Sequence, residues 1–354
     1  MYMKNTKDVR ILITQGALLH YRVPVFNLLA DEERFQVTIV HSGEPTTLAA
    51  PKYSEVIVRK QSMYGMYYQS DILQMADSFD VVIGMFDIRW LSNIMLLLKN
   101  RSYKFVWWGI GKGKNQLFDP LRIWLAKRSD ALLLYDASAR DVYIHHGIDA
   151  RKVFVASNTV AVEQPIINRN PLDRISFLFI GSLHPRKQLE HMLYAFQMAS
   201  GHIPDNVTVD IVGDGSEMEN LRKLTQSLGI MDRVVFHGAI TNEQELRCHF
   251  ARALAVVSPG QAGLSVLHSF AHGVPFITQE NAISGGEIEN IKNRVNGFLY
   301  TGSIVHLAQI MVELSNNPAL SVQMGENAYV HYTQNRTLGQ MISGFRDAVN
   351  YSLS

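Results

Sequence analysis

Two cations stand side by side at Arg186 and Lys187, in the segment GSLHPRKQLEHML from Gly181 to Leu193. A glycine closes an apolar run there, and an amphipathic helical pattern follows the cations. Positive charge at a helix start opposes the helix dipole and costs roughly 0.3 kcal/mol or more per charge unless an anion joins it. The chemistry this spacing predicts is a phosphate clamp on an exposed turn, with backbone amides adding donors. Without an anion the same residues read as an ordinary basic turn.

A second stretch, SPGQAGLSVLHSFAHGVPFI from Ser258 to Ile277, places Gly260 and Gly263 in a loop that leads into a short helical pattern ending at Gly273. Bare backbone in such a loop admits a close ligand, and amides at the following turn suit an anion. His268 and His272 lie one helical turn apart and invite a metal reading. The HExxH form needs Glu after the first histidine, Ser269 stands there, and no third ligand is evident. No metal is expected; His268 is expected to face the ligand and His272 to pack or cap. The run GIGKG, Gly109 to Gly113, departs from the G-x-G-x-x-G spacing, so no nicotinamide site is expected.

The elements that must carry these turns follow an α/β rhythm. Short β-branched runs (Val9 to Thr14, Phe35 to His41, Ser54 to Arg59, Val81 to Met85, Tyr103 to Trp108, Ala131 to Tyr135, Val153 to Ala156) alternate with helical patterns. A polar segment with two prolines, Glu163 to Arg174, reads as a linker. The rhythm then restarts with strands at Ile175 to Ile180, Val207 to Val212, Val234 to Phe236, Ala253 to Val257 and Phe276 to Thr278. At 354 residues the chain accommodates two such open sheets in series. Doubly wound sheets bind ligands outside the carboxyl ends of their strands. Gly16, Gly181, Gly213 and the Gly260 to Gly263 loop all mark such ends.

The net charge is +1, but it is unevenly spread: residues 1–170 hold 21 Lys and Arg against 16 Asp and Glu, leaving 12 against 16. A basic first half suits an anionic partner such as a phospholipid leaflet or a phosphate-bearing lipid, with Lys99, Arg101, Lys104, Lys112 and Lys114 as candidate contacts. No nucleic-acid partner is expected. Cys248 is the only cysteine, no signal peptide is evident, and no apolar run nears the roughly 20 residues of a membrane span. The expected location is cytoplasmic, peripheral to the inner face of a membrane at most.

Taken in order, the markers resemble the donor-binding domain of the GT-B glycosyltransferases, in the large retaining group of bacterial surface-polysaccharide transferases. They are Gly181 with Lys187, IVGDG, VVFHGAI, AVVSP, the glycine loop, GVPFIT and GGEIENIKNRVNGFLY. HYRVPVFNLLA and FVASNTV extend the likeness into the first half. The resemblance implies an α/β GT-B fold, two Rossmann-like doubly wound domains facing each other across a cleft. Residues 1–164 would form the acceptor domain and residues 165–335 the donor domain, with a helix in 336–354 crossing back. It implies that the amides of Gly263, Leu264 and Ser265 hold a diphosphate, with Arg186 and Lys187 neutralising it. Gly238, Ala239 and Ile240 would lie against the nucleobase, and Gly16 would close over the phosphates. Gly181, Gly213 and Gly260 would line the donor site.

The implied activity is metal-independent, retaining transfer from a nucleotide diphosphate sugar, without cofactor, to a surface polysaccharide or lipid-linked oligosaccharide. The family's two glutamates, eight residues apart, are replaced here by Gly260 and His268, which makes His268 the expected ribose contact. A nucleotide-sugar epimerase of similar fold and a catalytically degenerate binding subunit are the alternatives.

Overall fold

The computed structural model describes residues 8–46, 51–111, 113, 116–162, 165 and 167–354. It divides into two compact units: residues 8–161 with 337–354, and residues 162–336.

The first unit is built on seven parallel strands. These are β1 (Val9–Thr14), β2 (Phe35–His41), β3 (Ser54–Ile57), β6 (Val81–Met85), β7 (Lys104–Gly109), β8 (Ala131–Leu134) and β9 (Val153–Val155); an antiparallel hairpin, β4 (Gln61–Met63) with β5 (Met66–Tyr68), lies outside the sheet. The strand order is β3-β2-β1-β6-β7-β8-β9. Central strands such as β6 and β8 are apolar runs because helices cover both faces of a parallel sheet. The helices are α1 (Val23–Ala30), α2 (Ile72–Met75), α3 (Leu91–Leu98), α4 (Asp119–Arg128) and α5 (Ala137–His145). Pro24 opens α1 where no intrahelical donor is lost.

The second unit repeats the plan with β10 (Ser176–Ile180), β11 (Thr208–Val212), β12 (Val234–Gly238), β13 (Ala253–Val257), β15 (Phe276–Gln279) and β17 (Gly297–Tyr300) in the order β12-β11-β10-β13-β15-β17, all parallel. The short pair β14 (Gln261–Ala262) and β16 (Ile283–Ser284) pins the glycine loop beside this sheet. Its helices are α6 (Leu189–Ala199), α7 (Met218–Ser227), α8 (Glu243–Arg252), α9 (Ser265–Ala271), α10 (Ile304–Asn316) and α11 (Pro318–Asn335). The last helix, α12 (Leu338–Leu353), starts at a capping box of Thr337 and Gln340 and returns to the first unit. Its Phe345 ring meets Trp108 at 4.8 Å.

The strand order of the second sheet reverses between β10 and β13. From β10 the chain enters α6, which shares a core with α7 and α10; from β13 it enters α9, which packs on α11. The two connections therefore part at the carboxyl ends of adjacent strands, the place where open α/β sheets take ligands.

Candidate functional site

At this switch point the strand-end glycines are stitched together by backbone bonds. Gly181 N donates to the Val212 carbonyl at 3.0 Å and Gly213 N to the Gly238 carbonyl at 2.7 Å.

Arg186 and Lys187 occupy a single 3-10 turn, Pro185–Lys187, whose cap is His184: its Nδ1 accepts from Arg186 N at 3.2 Å. Gln188 then adopts φ 52° to enter α6, and its side-chain oxygen accepts from Gln279 Nε2 at 2.8 Å. The sequence places Lys187 on an exposed turn, and this is corrected by the structure: the residue is half-buried. The turn folds back because Gly260 N donates to the Lys187 carbonyl at 3.0 Å. The Lys187 amine consequently stands 3.8 Å from where a Cβ on Gly181 would be. Burial, and then the adjacent Arg186, lower the pKa of the Lys187 amine. Among the described residues no carboxylate forms an ion pair with either cation.

The glycine loop lies directly against this turn. A Cβ on Gly260 would stand 2.4 Å from the Arg186 carbonyl, so the contact between the two segments requires glycine. Gly263 is different: its chain neighbours apart, no atom of the described residues lies within 4 Å of its would-be Cβ. Leu264 and Ser265 begin α9, whose first amides no side chain caps. Gly238 turns at φ 72°, leaving Ala239 exposed and Ile240 half-buried beyond it. Arg186, Lys187, Gly181, Gly213, Gly238, Gly260 and Gly263 thus all belong to one rim of the second unit. Gly16 belongs to the first unit, where Trp90 packs over it: a Cβ there would meet the indole at 2.6 Å.

His268 faces a partner that its own helix does not reveal. Glu243, the first residue of α8, receives His268 Nε2 at 3.1 Å and His272 Nε2 at 3.2 Å on the same oxygen, Oε1. Because a carboxylate only accepts, each Nε2 carries its proton, and His268 is left with Nδ1 for any ligand. These two bonds, His268 first, hold the Glu243 carboxyl well below its usual range. Burial lowers the pKa of His272, whose ring stacks on Phe250 at 4.2 Å. The sequence shows no third ligand-type group beside the two histidines; the structure corrects this with Glu243, which lies 25 residues before His268 on another helix. Its only local signal is the Asn242 cap that starts α8, with Asn242 Oδ1 accepting from Gln244 N at 2.9 Å.

The first unit holds a cavity of about 620 Å³ at the ends of β6, β7 and β8, lined by Phe86, Arg89, Trp108, Phe118, Arg122 and Tyr135 among others. The cations singled out for an anionic surface fare less well. Lys99 pairs with Asp77 at 2.7 Å, Arg101 with Asp130 at 2.6 Å, and Lys104 with Asp130 at 3.9 Å. Each is thereby partly neutralised, while Lys112 and Lys114 lie outside the described residues. Among the described residues, no helix is long and apolar enough to cross a membrane.

Comparison with known proteins fits this geometry. Residues 162–331 match the family of group 1 glycosyl transferases. An exopolysaccharide phosphotransferase of Streptomyces coelicolor is 34% identical over 154 residues, which are 42% of this chain and 16% of that protein. A GDP-mannose-dependent alpha-(1-6)-phosphatidylinositol monomannoside mannosyltransferase of Mycobacterium tuberculosis is 30% identical over 164 residues, 43% of this chain and 41% of the relative. The chain thus spans half or less of the length of the curated relatives it matches. Anabaena HepE, solved in complex with UDP, aligns with a TM-score of 0.73 at 16% identity over 97% of this chain and 99% of its own. The chain has the fold of the GT-B glycosyltransferases, two Rossmann-like units. Its second unit is a group 1 glycosyltransferase domain, as the motifs from Gly181 to Tyr300 imply.

Proposed function

We propose that the protein is a glycosyltransferase that moves a sugar from a nucleotide diphosphate sugar with retention of configuration and without a metal ion at the diphosphate. The observation that carries this reading is the Arg186–Lys187 turn, without a carboxylate partner among the described residues and held by Gly260 against the glycine loop that leads through Gly263 to Leu264 and Ser265. Two cations on a turn packed against the loop that leads into α9 would stabilise a leaving diphosphate, the charge that develops as the glycosidic bond breaks. The acceptor hydroxyl attacks from the face that the diphosphate leaves, so no side-chain nucleophile is required. A GDP-mannose-dependent relative and a UDP-bound structural neighbour support a nucleotide-sugar donor and leave its base open.

The acceptor is a surface polysaccharide or a lipid-linked oligosaccharide, in keeping with relatives named for exopolysaccharide and phosphatidylinositol mannoside chemistry. The aromatic cavity of the first unit, with Arg89 and Arg122, is its proposed seat. Beside it, Leu117, Leu121 and Trp124 are exposed and spaced along one side of α4 and the turn before it, and Lys127 and Arg128 are exposed in its last turn. That combination suits the anionic surface of a membrane.

A thermal-shift screen against UDP, GDP, ADP and dTDP tests the donor site. A nucleotide at 100 times its dissociation constant stabilises by about 2.7 kcal/mol. Failure of all four to raise the melting temperature overturns the assignment. A binding subunit without turnover is the second reading, favoured by the absence of any carboxylate at Gly260. Detectable donor hydrolysis or transfer excludes it, and conversion of the sugar without acceptor would point to an epimerase instead.

A further inference from the structure

We propose that Asp210, His237 and His249 form a binding site for one divalent transition-metal ion of the zinc type, which ties α8 to the edge of the second sheet. Asp210 lies at the middle of β11; its neighbours Val209 and Ile211 fill the core on one face, so its own side chain points to the other. That side chain is 6% exposed. Its Oδ1 stands 2.8 Å from His237 Nε2, on the adjacent strand β12. Its Oδ2 is buried and has no hydrogen-bond partner among the described residues. His249 reaches the same place from the last turn of α8, with its ring 4.4 Å from that of His237. One ligand atom from each of the three residues lies within 4.8 Å of the others.

A buried carboxylate oxygen left unpaired has given up its water without a replacement. A cation shared with two imidazoles can be held by both carboxylate oxygens, so that Oδ2 gains a partner while Oδ1 exchanges the His237 N–H for the ion. Two nitrogens and one carboxylate are a zinc-type ligand set, with water completing the tetrahedron. Bonds of about 2.0–2.2 Å set tetrahedral ligand atoms roughly 3.3 Å apart, so the Asp210–His237 contact needs to open only slightly. His237 is a quarter exposed, so its second ring nitrogen can reach solvent.

The other cluster, Glu243 with His268 and His272, is a poorer host. Coordination through His272 Nε2 would put a proton on Nδ1, and that atom is buried without an acceptor. Its carboxylate oxygen, moreover, already accepts two hydrogen bonds.

The test uses the full chain, stripped with a chelator and titrated with Co²⁺, whose visible absorption reports tetrahedral nitrogen–oxygen coordination. The expected result is one Co²⁺ per chain, displaced by Zn²⁺, and a melting temperature that rises with added Zn²⁺. His249→Gln and Asp210→Asn should each weaken cobalt binding by at least about 100-fold, since loss of outer-shell support alone costs 10–100-fold. Glu243→Gln should leave it intact. Should Asp210→Asn fail to fold by circular dichroism, the half-exposed His249→Gln carries the test. A folded chain that binds no cobalt, or binding lost with Glu243→Gln but kept with His249→Gln, overturns the proposal.

Discussion

A Cβ placed on Gly213 would stand 1.8 Å from the carbonyl oxygen of Gly181. The ends of β10 and β11 thus touch through bare backbone, and Gly213 also holds φ 149°, where L side chains are strained. The rim of the candidate site is a backbone structure first and a side-chain structure second.

Gly213→Ala should therefore destabilise the second unit by about 2–5 kcal/mol, combining backbone strain with overpacking. Gly263→Ala provides the contrast, because among the described residues nothing but its chain neighbours lies near its would-be Cβ. It should leave urea unfolding unchanged and weaken nucleotide binding, as seen by calorimetry. Equal loss of stability in both variants would show that Gly263 serves packing alone.

Lys187→Ala should lower turnover by about 2–4 kcal/mol of barrier, on the scale of a lost oxyanion donor. Single-turnover rates with the preferred donor are the measurement, and the melting temperature is the control. A variant with normal folding and near-normal rate removes Lys187 from the clamp.

His268→Ala should weaken nucleotide binding by about 1–2 kcal/mol, the worth of one hydrogen bond in a partly closed site. Glu243→Gln keeps one acceptor oxygen, and both imidazoles already share a single oxygen of Glu243, so it should lose less. Calorimetric titration of both variants separates a ligand contact from packing, since a packing role leaves nucleotide affinity at the wild-type value in each.

Acid should unfold the second unit early. Burial pushes His331 down to about 4, with Arg336 and Lys292 adding to it, and lowers His272 as well. An unfolded histidine titrates near 6.5, so the unfolded chain binds these protons first. Stability is complete above about pH 6.5 and is lost as pH falls toward 4. The Glu243 carboxyl, depressed by its two imidazoles, adds loss of the same sign below the ordinary carboxylate range. Urea midpoints should fall steadily across this window, and His331→Phe should flatten the upper part. Midpoints independent of pH would show that these histidines are not buried neutral.

Vesicle sedimentation tests the exposed face of α4. Anionic vesicles should retain the protein at low salt and release it as salt screens Lys127 and Arg128. Leu121→Ser together with Trp124→Ser should abolish retention. Equal binding to neutral vesicles would assign the contact to apolar burial alone.

The strands of the two large parallel sheets, β17 (Gly297–Tyr300) excepted, were legible because apolar runs buried on both faces need no partner information, as Ala253 to Val257 illustrates. The strand-end glycines and the cation pair were legible too, since their chemistry is local. The hairpin from Gln61 to Tyr68 was not, because β4 is wholly exposed and has no alternation to read. Glu243 escaped because its meaning depends on a helix 25 residues away, and Asp210 because its orphan oxygen exists only once β12 and α8 close over it. Lys99 and Arg101 looked free as sequence and are paired in space with Asp77 and Asp130.

α12 completes the core of the first unit with Met341, Phe345 and Val349, although 175 residues of the second unit separate it from β9 and the rest of that core. The second unit is therefore a continuous insert, synthesised before the helix that closes the first. The nascent chain should mature from the inside of its sequence outward, with an apolar trough over β7 and β8 left open until α12 arrives. A chain stopped after Arg336 should resist protease through residues 162–336, be cut readily before them, and be held by chaperones that recognise exposed apolar surface.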